Sequence, residues 1–173
     1  MSASVDTSRR GLLLAALATL PLAACGFRLQ GIRDLPFQTM YVNAPRGQAE
    51  LVDQIRLAVV TQSSTQIADQ PSAAEVILDI LDNRFESVIL SLNSAGRVRE
   101  YQLRQKVTFR VHTRDQTELM PKTTIEIRRD LTYSDSEMLA KQQEQLTLQN
   151  EMRNDLVQQL LRRLQALKRP QAS

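Results

Sequence analysis

Residues 99–113 alternate between two kinds of side chain. Tyr101, Leu103, Val107, Phe109 and Val111 share one parity, and Glu100, Gln102, Arg104, Lys106, Thr108, Arg110 and His112 share the other. Residues 122–133 repeat the pattern, with Thr123, Ile125, Ile127, Leu131 and Tyr133 opposed to Lys122, Thr124, Glu126, Arg128 and Asp130. Side chains of a strand point alternately to its two faces, so one apolar and one charged parity predict antiparallel strands covered on one side only. Residues 114–121 turn the chain between them. Upstream, 75–92 reads as another long strand, with Asp82 and Asn83 marking a bulge or bend. It is joined to 99–113 through the turn "NSAG" at 93–96, where Gly96 can take positive φ. Residues 38–45 form a short first strand stopped by Pro45, and a further short strand is possible near 66–68 in an otherwise polar connection.

What covers the apolar face has helical period. Leu51, Val52, Ile55, Ala58 and Val59 recur at helix spacing within 47–62. A longer helix runs from 134 to about 167, with Met152, Leu156, Val157, Leu160, Leu161, Leu164 and Leu167 on its stripe and Pro170 ending it. Ser134 and Glu137 match a capping box at its start. The order is β-α-β-β-β-α. The expected fold is α+β: a two-layer sandwich in which a four-stranded sheet carries both helices on one face.

The N-terminus follows a different logic. Arg9 and Arg10 precede an uncharged run over 11–24, which is short for the roughly 20 apolar residues of a membrane span. A basic start, an apolar run and small residues describe a secretory signal. Ser8-Arg9-Arg10 also suits the twin-arginine route, though the pair fits general secretion equally well. Leu22-Ala23-Ala24-Cys25 is similar to a lipobox, in which the cysteine thiol takes a diacylglycerol and the chain is cut before it. Residues 1–24 are thus expected to be a lipoprotein signal peptide, 25–37 a lipidated tether, and 38–170 a single domain. Cys25 is the only cysteine, so the mature chain holds no disulfide and depends on its core. Gly26, where an aspartate would favour inner-membrane retention, favours the outer membrane.

Composition limits the chemistry. The net charge of +3 is modest, Trp is absent, and Tyr and Phe number three and four, which disfavours stacking platforms for sugars or single-stranded nucleic acid. Export argues further against nucleic acid. The one histidine, His112, falls on the polar parity of its strand, where a solvated residue is the expected reading. Asp79 and Asp82, three apart on a strand, are expected on opposite faces, unsuited to paired acid–base work. No metal pair, phosphate loop or nucleophile elbow is visible. No cofactor and no enzymatic activity are expected.

Several stretches resemble the LptE family of lipopolysaccharide-assembly lipoproteins. "CGFRLQG" at 25–31 is similar to the family's opening after the lipobox, and Arg99-Glu100-Tyr101-Gln102-Leu103 to the start of its central strand. Met138-Leu139-Ala140-Lys141 with Glu144-Gln145, and "EMRNDLVQQLLRRL" at 151–164, are similar to its last helix. The resemblance spans the mature chain. It implies a plug for the LptD β-barrel, held to the outer membrane on its periplasmic side, that binds lipopolysaccharide. It also implies basic contacts to lipid A phosphates: Lys141 matches one such position. The family's hairpin cation falls here on Ser94, with Arg97 and Arg99 close by. Arg104, Lys106 and Arg110 extend the basic series along the strand, on the parity opposite to Arg99. Two other classes stay open: an envelope lipoprotein that scaffolds another outer-membrane machine without a lipid ligand, and a hydrolase whose carboxylates come from distant segments.

Overall fold

A computed structural model describes residues 34–168. The signal peptide, Cys25 and most of the 25–37 tether therefore lie outside the described residues, as does Pro170. The elements are β1 (Thr39–Asn43), α1 (Ala49–Gln62), β2 (Gln66–Ile67), β3 (Val76–Leu92), β4 (Val98–Thr113), β5 (Glu118–Thr132) and α2 (Met138–Gln165), with single 3-10 turns at Pro71–Ala73 and Asp135–Glu137.

The sheet has five strands in the order β2-β1-β3-β4-β5, one more than expected. The extra strand is the two-residue β2, which pairs parallel to β1 through Thr39–Gln66 and Met40–Ile67. β1 also runs parallel to β3, whereas β3, β4 and β5 form an antiparallel meander, so the sheet is mixed. β5 is the free edge opposite β2. It holds Pro121, a residue an edge strand tolerates because no neighbour needs its missing N–H.

One face of the sheet packs on both helices. Met40, Val76, Leu78, Leu103, Val107, Phe109 and Ile125 meet Leu51, Ile55 and Val59 of α1 and Met152, Leu156, Leu160 and Leu164 of α2, all buried in one cluster. The helical stripes are those expected from spacing. The core also takes in Leu35 and Phe37, which the sequence places in the tether. Toward the hairpin end the apolar face gives way to a polar plug. Asn83 donates to Gln48 Oε1 and accepts from Gln105 Nε2, each at 2.6 Å, and Arg153 of α2 pairs with Glu50 of α1.

Two local features differ from expectation. The ladder between β3 and β4 slips between Ile80 and Asp82, leaving Leu81 as the extra residue of a bulge. Each bulge shifts the parity downstream by one. Asp79 and Asp82 consequently pair with Arg110 and Thr108 and share the helix-free face, instead of lying on opposite faces. The capping box is also not formed. Ser134 Oγ bonds Ser136 Oγ at 2.8 Å, a 3-10 turn intervenes, and Glu137, without a side-chain cap bond, becomes the N-cap of α2. The β3–β4 turn is as expected: Gly96 has φ +74°, and Asn93 Oδ1 accepts from the amides of Ala95 and Arg97 at 3.0 Å.

Candidate functional site

The β3–β4 hairpin and α2 both extend beyond the core, and at that end the chemistry changes. The far half of β3 keeps apolar side chains in the open: Val88, Ile89, Leu90 and Leu92 are all exposed. The first turns of α2 do the same, with Met138, Leu139 and Leu146 exposed and Leu139 at 82%. Isolated exposed leucines are ordinary, but clusters on neighbouring elements mark surfaces that meet a partner or a lipid. The backbone ties the two regions together. The Tyr133 amide donates to the Arg99 carbonyl at 2.8 Å, and the Tyr133 ring meets Tyr101 edge-on with centroids 5.4 Å apart. The segment feeding α2 is thereby fastened to the root of the hairpin turn.

The basic residues divide between two faces. Arg97 and Arg99 are exposed beside the turn, where the ladder slips between Glu100 and Val98 and leaves Arg99 as an extra residue, so strict alternation from Tyr101 and Leu103 ends there. Lys141 lies on the same stripe of α2 as Gln145, Leu148 and Met152, so it continues the core-facing side of the helix past the end of the core. Its side chain is only 17% exposed, and its ammonium donates to Glu144 at 2.8 Å. The charge of Lys141 therefore has a local partner one turn on. Sequence reasoning passed over it, although the i,i+3 spacing is visible.

Arg104, Lys106 and Arg110 face the other way. Arg104 donates to Gln102 at 2.8 Å, and cross-strand neighbours place Glu86 opposite Arg104 and Glu126 opposite Lys106. The Glu126 carboxyl is held below its usual range, first by its bond from Arg128 and then by the charges of Arg128, Arg104 and Lys106. On this face the cations are set among carboxylates.

The same face holds a second polar cluster, near β1. His112 is not solvated; its side chain is 7% exposed. Its Nε2 lies 3.2 Å from Asp79 Oδ2 and its Nδ1 2.7 Å from the Thr113 carbonyl, so both bonds are met when both nitrogens carry hydrogen. Asp79 also accepts from Asn43 Nδ2 and from Arg110 Nε, each at 2.8 Å. Burial pushes the Asp79 carboxyl up. The bonds from Asn43 and Arg110, with the charges of His112 and Arg110, outweigh that and hold it below its ordinary value. The sign of the linkage follows. A carboxyl that ionises more readily in the folded state stabilises fully above its unfolded pKa of about 3.9, and that stability is lost as pH falls through the folded value. We expect urea midpoints of the wild type to fall more steeply below about pH 4 than those of Asp79→Asn. Parallel profiles would mean that Asp79 is not the linked group.

Among the described residues no three His, Cys, Asp or Glu side chains are placed to hold a metal ion, and no helix is long and apolar enough to cross a membrane.

Comparison with known proteins agrees with this architecture. The family described as LptE, lipopolysaccharide-assembly, matches residues 37–164. The solution structure of lipoprotein B from Nitrosomonas europaea is 33% identical, with 82% of this chain and 91% of that one covered and a TM-score of 0.73. The rare lipoprotein B from Shewanella oneidensis is 26% identical over 73% of this chain and 93% of its own, with a TM-score of 0.63. A minor lipoprotein from Acinetobacter baumannii, 22% identical over 79% and 98%, shares the fold with a TM-score of 0.62. No curated protein matches the chain. A match over 37–164, on a chain whose strands, helices and exposed hairpin are those described above, makes this protein a member of the LptE family of lipopolysaccharide-assembly proteins.

Proposed function

We propose that the protein is a non-enzymatic outer-membrane lipoprotein, acylated at Cys25 after removal of residues 1–24. In this reading it plugs and assists assembly of the LptD β-barrel and binds lipopolysaccharide on its way to the outer leaflet. The observation that carries the reading is the exposed end of the molecule, where apolar side chains of β3 and α2 flank basic residues. Such a surface suits an amphiphile with acyl chains and phosphates. Lys141, Arg97 and Arg99 would contact the lipid A phosphates. Arg104 and Lys106 belong to the proposal as a second row, one that must compete with Glu86 and Glu126 for any external anion. The i,i+3 pair does not hold the lysine back, because such pairs contribute only some tenths of a kcal/mol, whereas charge-assisted bonds to an anion contribute about 1.5–3 kcal/mol.

The test is lipopolysaccharide binding by wild type, Lys141→Asp and Glu144→Gln, at two salt concentrations, with capture of the barrel protein measured alongside. Lys141→Asp should weaken binding by about tenfold or more, since about 1.4 kcal/mol is a factor of ten. Glu144→Gln should bind as well as wild type or better, because it frees the ammonium. Both effects should shrink as salt rises. Equal binding by wild type and Lys141→Asp would refute the phosphate contact. Loss of barrel capture together with lipid binding would place Lys141 in the protein–protein interface instead.

A further inference from the structure

We propose that the helix-free face of the sheet carries a second ligand site, separate from the lipid-assembly end: a pocket for a phosphate group, gripped by Arg110. A cavity of about 280 Å³ opens there beside β1, lined by Tyr41, Asn43, Asp79, Arg110, His112 and Gln116. This is near the lower end of ligand pockets, which run from roughly 300 to 1,000 Å³, and is the size of a headgroup rather than a whole lipid.

The pocket is built from below. Asp79 and His112 are more than nine-tenths buried under it. The two oxygens of Asp79 accept three bonds, from Asn43, Arg110 and His112, so its carboxylate has little capacity left for a ligand. Its effect is to orient Arg110. The guanidinium gives its Nε to Asp79, and among the described residues nothing bonds its two Nη groups, although the side chain is 45% exposed at the pocket. A guanidinium held by its Nε edge presents a preset fork for a planar or tetrahedral oxyanion. Around that fork the lining carries further groups able to donate: the Tyr41 hydroxyl, the Gln116 amide and the second N–H of the Asn43 amide, whose first goes to Asp79.

The backbone of the rim adds an independent sign. Gln116 has φ +65°, a conformation costly for a side chain with Cβ, and its amide closes the turn onto the Thr113 carbonyl at 3.0 Å. Strain of this kind gathers where a loop holds a ligand. A carboxylate would be satisfied by the Arg110 fork alone. A phosphate has further oxygens for Tyr41, Asn43 and Gln116, and so fits the full donor set.

The experiment uses the full chain in detergent. Inorganic phosphate, glycerol 3-phosphate and phosphatidic acid in mixed micelles are titrated separately by calorimetry. Saturable binding to the wild type is expected. Arg110→Gln should weaken it at least tenfold and Arg110→Lys by nearly as much, since a single ammonium cannot span the fork. Tyr41→Phe should weaken it severalfold, and it leaves the Asp79 cluster intact should Arg110→Gln fail to fold. Arg128→Gln, on the same face, should bind like wild type. Binding of both soluble phosphates assigns the site to free phosphate esters, and binding of phosphatidic acid alone assigns it to a lipid headgroup. Absence of saturable binding to all three, or equal binding by wild type and Tyr41→Phe, overturns the proposal. The Arg110→Gln and Tyr41→Phe losses report this pocket and not the Lys141 end, so failure here and failure of the lipopolysaccharide reading are distinguishable.

Discussion

Leu160→Asp is expected to unfold the domain or to lower its melting temperature by well over 10 °C. Leu160 is fully buried on the stripe of α2 that meets the sheet. The substitution removes the burial of a leucine side chain, about 1.5–3 kcal/mol. It also forces a carboxylate either into an apolar site with no partner or into protonation, at a further cost of several kcal/mol. A domain is stable by only about 5–15 kcal/mol, so the sum consumes most of the margin. Each kcal/mol moves the melting point by about 2–8 °C at this size. The control is Leu139→Asp on the same helix. Leu139 is 82% exposed, and its substitution should leave melting within a degree or two of wild type. A Leu160→Asp protein that melts like wild type would show that α2 does not pack on the sheet as described.

The contrast between those two leucines shows what the sequence could and could not convey. Leu160 belongs to a stripe that repeats over four turns, and repetition reveals burial. Leu139 and Leu146 lie 21 and 14 residues before Leu160, on nearly the same side of the helix, so periodicity alone does not say that they stand in the open. The long strands were legible for the same reason as α2: β4 is covered on one face only, so its alternation is clean. β2 was visible only as a hint, because two residues cannot show a period. The bulge at Leu81 was located to within a residue or two by Asp82 and Asn83, but its consequence was not drawn. The parity flip puts Asp79 and Asp82 on one face.

His112 was misread for a more general reason. Alternation assigns a side chain to a face but does not tell what else covers that face. Here β1, through Asn43, and the 3-10 turn at Pro71 close over the end of a sheet surface that is otherwise open. The cover comes from segments 35 to 70 residues away in sequence, and no local pattern announces it. The Lys141–Glu144 pair is local instead, and its i,i+3 spacing is legible in the sequence. The family resemblance, by contrast, rested on short stretches spread across the chain, and the match over 37–164 includes all of those beyond the N-terminus.

The second large effect concerns the one stretch whose meaning does not depend on the fold. A lipobox is read by processing enzymes while the segment is extended at the membrane, so four residues in the right place suffice. Cys25→Ser is therefore expected to abolish acylation and to leave the precursor uncut before position 25, while the domain beyond it folds as in wild type. The acyl anchor should be lost entirely, and the uncut precursor should be held only by its uncharged run 11–24. Each buried acyl CH₂ contributes about 0.8 kcal/mol, and two or more chains hold a protein to a bilayer where one holds it only reversibly. The measurement is metabolic labelling with palmitate, followed by fractionation of membranes washed with high salt. Wild type should carry label and stay with the membrane. Cys25→Ser should carry none and keep the larger precursor mass. Label on Cys25→Ser would remove the thiol as the attachment point. Normal cleavage without label would identify 1–24 as an ordinary secretory signal, and any membrane association would then have to come from the exposed hairpin and the start of α2.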